Sequence, residues 1–233
     1  MSTLTLVRHG QAKSFEPDHV LTATGEAQAN HLAQYWLRHH LQFDEVYSGS
    51  LARQAGTEQI VARCFCEAGQ PWPPAVRDPA WNEYDATGAL AHLAHHDPAI
   101  AALAAEYQSA RDTPEENRRF QRVLEAAMLR WLAGTLGSQH IESWLAFRDR
   151  VTAAFQRLRE GPPGRRIVVF TSGGPIGFTT HLAMQAPPKV FLDINWRVRN
   201  ASVTQFVFDR ERFTLDSFNA IPHLDDPGLW TYR

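Results

Sequence analysis

Three short segments carry side chains whose types and spacing could do chemistry: Arg8-His9-Gly10, Ser50-Leu51-Ala52-Arg53 and Thr171-Ser172-Gly173-Gly174-Pro175. A neutral imidazole is nucleophilic near pH 7. An arginine beside it offers a planar fork of donors suited to an anion with several oxygens. Gly10 lets the backbone turn sharply and come close to a bound group, which a Cβ makes costlier. With Ser50 read as a helix N-cap, Arg53 falls in the first turn, where the helix dipole disfavours a cation by a few tenths of a kcal/mol to about 1 kcal/mol. A bound anion would remove that conflict. The paired glycines after Ser172 can present backbone amides, and the serine hydroxyl can donate one hydrogen bond. Taken singly, the same residues also read more plainly, as a strand end with surface side chains and an Arg53 that snorkels outward.

These residues need elements to hold them, and the chain alternates strand and helix patterns. Thr3 to Val7 alternates polar and apolar residues and reads as a strand. After a polar loop, Thr22 looks like the N-cap of a helix through Leu32, Tyr35 and Trp36 that ends near His39-His40. Phe43–Ser48 reads as a strand, Ser50 caps a helix through Ile60 and Val61, and an extended piece follows around Ala75–Arg77. From Thr87 to Gly137 the sequence is alanine-rich and helical, with breaks at Asp97-Pro98 and Thr113-Pro114. Phe120, Val123, Leu124, Ala127 and Trp131 form an apolar stripe. A further helix carries Trp144, Phe147, Val151, Phe155 and Leu158, and Gly161-Pro162-Pro163-Gly164 stops it. Ile167–Thr171 is a buried-type strand, Pro175 opens another helix, and Ala201–Phe208 with Arg212–Phe218 suggest a closing hairpin. Such alternation predicts a mainly parallel α/β sheet with helices on its faces. In an open sheet of this kind the working crevice lies at the carboxyl ends of the strands. The three segments above all stand at such ends.

Composition narrows the class without choosing it. The chain has 233 residues, 44% hydrophobic and 21% charged, with a formal net charge of -2. That allows one sizeable core and gives no global basic field for nucleic acid. Cys64 and Cys66 are too close for an intrahelical disulfide and too few for a structural zinc, so a reduced, cytoplasmic protein is expected. No segment reads as a signal peptide or a membrane span. With no repeat or linker in view, residues 1–233 read as a single domain with a helical insertion at about 87–137. That insertion is expected to cap the pocket and set substrate choice.

The motifs Leu6-Val7-Arg8-His9-Gly10-Gln11-Ala12, Leu21-Thr22 with Gly25 and Gln28-Ala29, Ser50-Leu51-Ala52-Arg53 with Thr57, Trp81-Asn82-Glu83-Tyr84-Asp85 and Asn200-Ala201-Ser202-Val203-Thr204 occur in a telling order. In that order and spacing the chain resembles the histidine phosphatase superfamily, the phosphoglycerate mutase-like proteins, over nearly its whole length. The resemblance implies a three-layer α/β/α sandwich and transfer of a phosphoryl group to a histidine. It makes His9 the nucleophile, gives Arg8 and Arg53 the phosphate, and makes Glu83 the acid that protonates the leaving group and later activates water. Such an acid must be partly protonated, so burial and the nearby dianion are expected to raise its pKa. Asp85, two residues on, is a second candidate. No cofactor and no metal are implied, the partner is a small-molecule phosphate ester, and a homodimer is left open beside a monomer.

One position departs from the family pattern. Just before the paired glycines, where the family carries a second histidine, this chain has Ser172, which with Gly173 is left to bind phosphate. Serine cannot carry positive charge, and losing a charge-assisted donor in such a site typically costs about 2.7–4 kcal/mol of transition-state stabilisation. His181 and His223 are candidate substitutes. His92, His95 and His96 have helical spacing that could suggest a metal, but they precede Asp97-Pro98, at a helix end where cations are favoured anyway. Arg111, Arg118, Arg119 and Arg122 could meet a larger anionic substrate or form a solvated helix face. Gly10-Gln11-Ala12-Lys13 lacks the continuation familiar in cofactor-dependent phosphoglycerate mutases, which favours hydrolysis. The expected activity is therefore a phosphomonoesterase working through phospho-His9. A non-catalytic or weakly active phosphoester-binding protein and a mutase-type phosphotransferase are the alternatives.

Overall fold

The computed structural model describes residues 1–13 and 20–232. The chain divides into two compact units, Met1–Glu83 with Val151–Arg233 and Tyr84–Arg150. In the first unit six strands form one sheet: β1 (Ser2–Arg8), β2 (Glu45–Ser48), β3 (Val76–Arg77), β4 (Arg166–Thr171), β5 (Val203–Phe208) and β6 (Phe213–Ala220). Their order is β3-β2-β4-β1-β5-β6. β1, β2, β3 and β4 pair in parallel, while β5 and β6 complete the sheet antiparallel. The predicted parallel α/β sheet is thus observed with an antiparallel edge, the closing hairpin. The long connections between the parallel strands carry helices, as parallel pairing requires.

Strand alternation sets the core. Val7, Val46, Val168, Phe170 and Val203 share one face of the sheet and pack against Leu32, Ala33 and Trp36 of α1 (Ala23–Arg38) and Val61, Cys64 and Phe65 of α2 (Ala52–Glu67). Trp36 and Trp72 both meet the Phe170 ring, at centroid distances of 6.3 and 6.2 Å. Ile167 and Val169, also fully buried, alternate to the other face. After β4 the chain enters α7 (Gly173–Met184) and then α8 (Pro188–Asn195).

α1 begins as predicted, with the Thr22 hydroxyl accepting from Gly25 N at 3.1 Å. α2 begins differently. Its N-cap is Leu51, and Gln54 Oε1 accepts from Leu51 N at 3.3 Å. Ser50, read as that cap, instead trades two hydrogen bonds with the Asn82 carboxamide, at 2.7 and 2.8 Å. The polar loop expected before Thr22 lies partly outside the described residues, at 14–19. Its two ends are joined, since Thr22 N donates to Gln11 O and Lys13 N to Val20 O.

The second unit contains α3 (Ala86–His96), α4 (Pro98–Ser109), α5 (Glu116–Leu132) and the first part of α6 (Trp144–Glu160). Asp97 both ends α3 and caps α4, accepting from Ala99 N at 2.8 Å, which accounts for the break at Asp97-Pro98. Trp131, 1% exposed, centres this unit's core among Tyr84, Trp144 and Phe147.

Candidate active site

The site is built where β1 and β4 end side by side. His9 N donates to the Thr171 carbonyl at 2.9 Å, which carries the strand pairing one residue further. A two-residue step takes Val7 to His9 and Phe170 to Ser172, so both side chains continue the face that α1 and α2 cover. Arg53 and Gln54, in the first turn of α2, reach the same place from the helix side. The His9 carbonyl is held by Ala201 N and by the Asn200 carboxamide, each at 3.2 Å.

The tautomer of His9 follows from its neighbours. His9 Nδ1 lies 2.7 Å from the Gly10 carbonyl, which can only accept, so Nδ1 carries the hydrogen. Arg53 Nε donates to His9 Nε2 at 3.1 Å, so Nε2 holds the lone pair. The imidazole is therefore neutral, 7% exposed, with its nucleophilic nitrogen turned toward the Arg53 guanidinium. Burial lowers the pKa of Arg53 and the Glu83 carboxylate opposes that shift, so the two groups lie within electrostatic reach. Arg53 nonetheless stays charged. A buried cation at a helix start is costly without an anion beside it.

Glu83 comes from the segment after the short 3-10 turn Pro79–Trp81. Both of its carboxylate oxygens lie 3.1 Å from Gly174 N, in the first turn of α7. That is a favourable seat for negative charge, since the first amides of a helix lack internal partners. Asp85 is committed otherwise, because its Oδ1 caps α3 by accepting from Gly88 N at 2.7 Å. The Ser172 hydroxyl, wholly buried, accepts from Gln54 Nε2 at 2.8 Å. Gly173 stands close to α8, where an added Cβ would come within 2.6 Å of Asn195 Oδ1. Arg8 is anchored by Nη1 to the Val198 carbonyl.

Polar side chains tie the loops around His9. The Thr57 hydroxyl accepts from Gly10 N at 3.0 Å and donates to the Arg53 carbonyl at 2.7 Å. Gln28 accepts from Gln11 N and donates to the Leu229 carbonyl and the Thr231 hydroxyl. Thr231 in turn bonds Asn200 through both its hydroxyl and its carbonyl. Sequence reading missed Gln54 and Thr231, and it named Gln28, Thr57 and Asn200 only as motif members without this role. A signal was present, since Gln54, Thr57 and Glu58 are polar residues on the inward stripe of α2 that continues to Val61 and Phe65. Polar side chains on a buried stripe need partners there.

The candidate substitutes for an imidazole are held in ring contacts, and both ring nitrogens of His223 lack a hydrogen-bond partner among the described residues. His181 packs on Phe178 within α7, and burial lowers its pKa. His223 is 3% exposed, beside Tyr35 of α1. Burial first, and then the charge of His31, push its pKa down to about 4, so it is neutral at pH 7. At the end of α3, His92 and His95 pack their rings on His96. No group of three or more His, Cys, Asp or Glu among the described residues is placed to hold a metal ion. Arg118 pairs with Glu115, while Arg119 and Arg122 both pair with Glu106.

The sheet order, the helices on its faces and a histidine at the end of the central strand define a phosphoglycerate mutase-like α/β protein. The chain superposes on a phosphoglycerate mutase from Bacillus anthracis with a TM-score of 0.64, covering 95% of this chain and 94% of that one at 19% identity. With a mycobacterial glucosyl-3-phosphoglycerate phosphatase in complex with inorganic phosphate, the TM-score is 0.62, covering 96% and 99% at 21% identity. At such identities the likeness is one of fold. The sequence profile of the histidine phosphatase superfamily (branch 1) matches residues 4–221, and the chain belongs to that family. A stretch of 82 residues is 35% identical to phosphoglycerate mutase-like protein 4 of Arabidopsis thaliana, spanning 35% of this chain and only 34% of that relative. No helix among the described residues is long and apolar enough to cross a membrane.

Proposed function

We propose that the chain is a phosphomonoesterase that hydrolyses a small phosphate ester through a phosphohistidine on His9. The observation that carries this reading is the neutral His9 ring, with Nδ1–H spent on the Gly10 carbonyl and the Nε2 lone pair facing Arg53. In the first half-reaction Nε2 attacks phosphorus, an N–P bond forms and the ester O–P bond breaks. The leaving oxygen takes a proton from Glu83. In the second, water attacks phosphorus as Glu83 takes back a proton, and the N–P bond breaks. The positive charge that develops on the ring is met by the Gly10 carbonyl at Nδ1–H. Arg53, released from Nε2, and Arg8 offset the phosphoryl oxygens.

Glu83 has two settings in this scheme. With the pocket empty, Arg53 and the Gly174 amide both stabilise its carboxylate. A bound dianion draws Arg53 away and repels the carboxylate, which favours the protonated acid that the first half-reaction needs. At the position where the family resemblance calls for a second histidine, Ser172 leaves the site one positive charge short. A slow turnover follows from that.

The test uses an activated aryl phosphate with the full-length protein and His9→Ala. Phosphate release and a trapped phosphoramidate adduct read by mass spectrometry are expected for the wild type alone. Equal release from both proteins with no adduct would rule out catalysis at His9 and favour a binding role. Transfer of the phosphoryl group to a sugar acid in preference to water would favour the mutase reading.

A further inference from the structure

Gln54 follows Arg53 on α2, is wholly buried, and has no part in the scheme above. Its carboxamide orientation is dictated by its neighbours. Leu51 N–H can only donate, and meets Oε1 at 3.3 Å. The Trp81 carbonyl can only accept, and takes one hydrogen of Nε2 at 3.1 Å. Turning the amide over would set donor against donor and acceptor against acceptor. The second Nε2 hydrogen therefore goes to Ser172 Oγ, at 2.8 Å.

Ser172 thus accepts from Gln54, and its own O–H must donate elsewhere. Among the described residues no acceptor takes that hydrogen, although the side chain is 0% exposed. A buried donor left unmade is costly, so an acceptor belongs beside it. Ser172 stands next to His9 across the β1–β4 ladder, because the residue before it, Thr171, holds His9 N–H. A phosphoryl oxygen seated against His9 Nε2 is the acceptor that this geometry calls for.

We propose that Gln54 is a positioning residue that fixes Ser172 as a donor to the phosphoryl group, so that the Gln54–Ser172 pair does with neutral groups what an imidazole would do with a charged one. The proposal rests on phosphoryl transfer at His9. It adds that the serine is a working part of a rebuilt site and that its O–H direction is set from α2. Being neutral, the pair adds no titration of its own to the pH profile.

A double-mutant cycle on the full-length protein tests it. Orthovanadate affinity is measured by calorimetry for wild type, Gln54→Met, Ser172→Ala and the double variant, with aryl phosphate kinetics and thermal unfolding in parallel. Each single change is expected to weaken vanadate binding about tenfold. kcat is expected to fall more than KM rises, and the double variant to be no weaker than Ser172→Ala. Gln54→Glu keeps the size and the Leu51 bond but gives Ser172 an acceptor, so a loss at least as large as that of Ser172→Ala is expected even if Gln54→Met folds poorly. Additive losses, unchanged affinity in Gln54→Met and Gln54→Glu, or no vanadate binding by wild type would each overturn the proposal. Coupled loss of vanadate affinity without any His9 adduct would uphold the positioning role while sinking the phosphatase reading.

Discussion

The hydrogen bond from Arg53 to His9 Nε2 occupies the lone pair that the proposed attack needs, so the resting nucleophile is masked by its own partner. A substrate whose phosphoryl oxygens outcompete Nε2 for the guanidinium both arrives and unmasks. The same crowding decides what Ser172→His would do. An imidazole there meets the Gln54 carboxamide, which already lies 2.8 Å from the serine oxygen. Overpacking of that kind typically costs about 1–3 kcal/mol. The single variant is expected to melt lower and to hydrolyse aryl phosphate more slowly than wild type, whereas Ser172→His with Gln54→Ala should recover about tenfold over the single change. A rate gain in Ser172→His alone would show that the pocket has room. His9, Arg53 and Glu83 were legible as candidates because each stands in a motif of fixed order, and Ser172 because it departs from the pattern beside the paired glycines. Gln54 was not, since nothing in one sequence says which polar residue of an inward stripe meets which partner across the sheet.

At the scale of elements, the join between β1 and α1 is tighter than a flexible turn. The sequence suggests that Gly10 frees the backbone to approach a ligand, but its Cβ position lies 2.4 Å from the Gly25 carbonyl, and that of Gly25 lies 2.0 Å from the Gln11 carbonyl. Two backbones touch there, and both glycines are fixed by packing. Gly10→Ala is expected to cost about 3 kcal/mol, at the upper end of overpacking because neither backbone is free to yield. Denaturant unfolding of variant against wild type measures it, and a loss below about 1 kcal/mol, the lower end of that range, would mean the junction relaxes. Strand positions and the closing hairpin were readable from alternation, and α1 from its cap. The α2 cap was misplaced because Ser50, a strong capping residue, is drawn off by Asn82, which lies far away in sequence. α8 went unread because its eight residues, Pro188–Asn195, are too few to display a period, though Phe191 and Leu192 are buried by it.

For the whole molecule, His223 ties stability to pH. Its pKa falls from the ordinary 6.5 to about 4 in the folded state, mainly through burial. The unfolded chain therefore binds a proton that the folded chain refuses between these values, so stability rises with pH across that window and is lost as the pH drops through it. The full contribution is present above pH 6.5 and is lost below about pH 4, roughly 3 kcal/mol in all. His223→Leu should reduce the difference in unfolding free energy between pH 7.5 and 4.5 by most of that amount, about 2 to 3 kcal/mol. An unchanged difference would assign the acid lability to other groups.

The position of β1 in the sheet carries a consequence for folding. The strand that leads into His9 lies between β4 and β5, whose residues 166–171 and 203–208 are far along the chain. Both of its ladders close long loops, the slow and entropically costly kind of contact. The residues that complete the surroundings of His9 lie as far along, Asn200 just before β5 and Leu229 and Thr231 after β6. A chain caught partway through folding thus has its histidine and the adjacent Gly10 carbonyl, but neither the groups that hold the His9 carbonyl nor the guanidinium beside the ring. On the proposed function, reactivity toward phosphate esters is then a late event in folding, and a partly folded molecule is expected to be chemically silent.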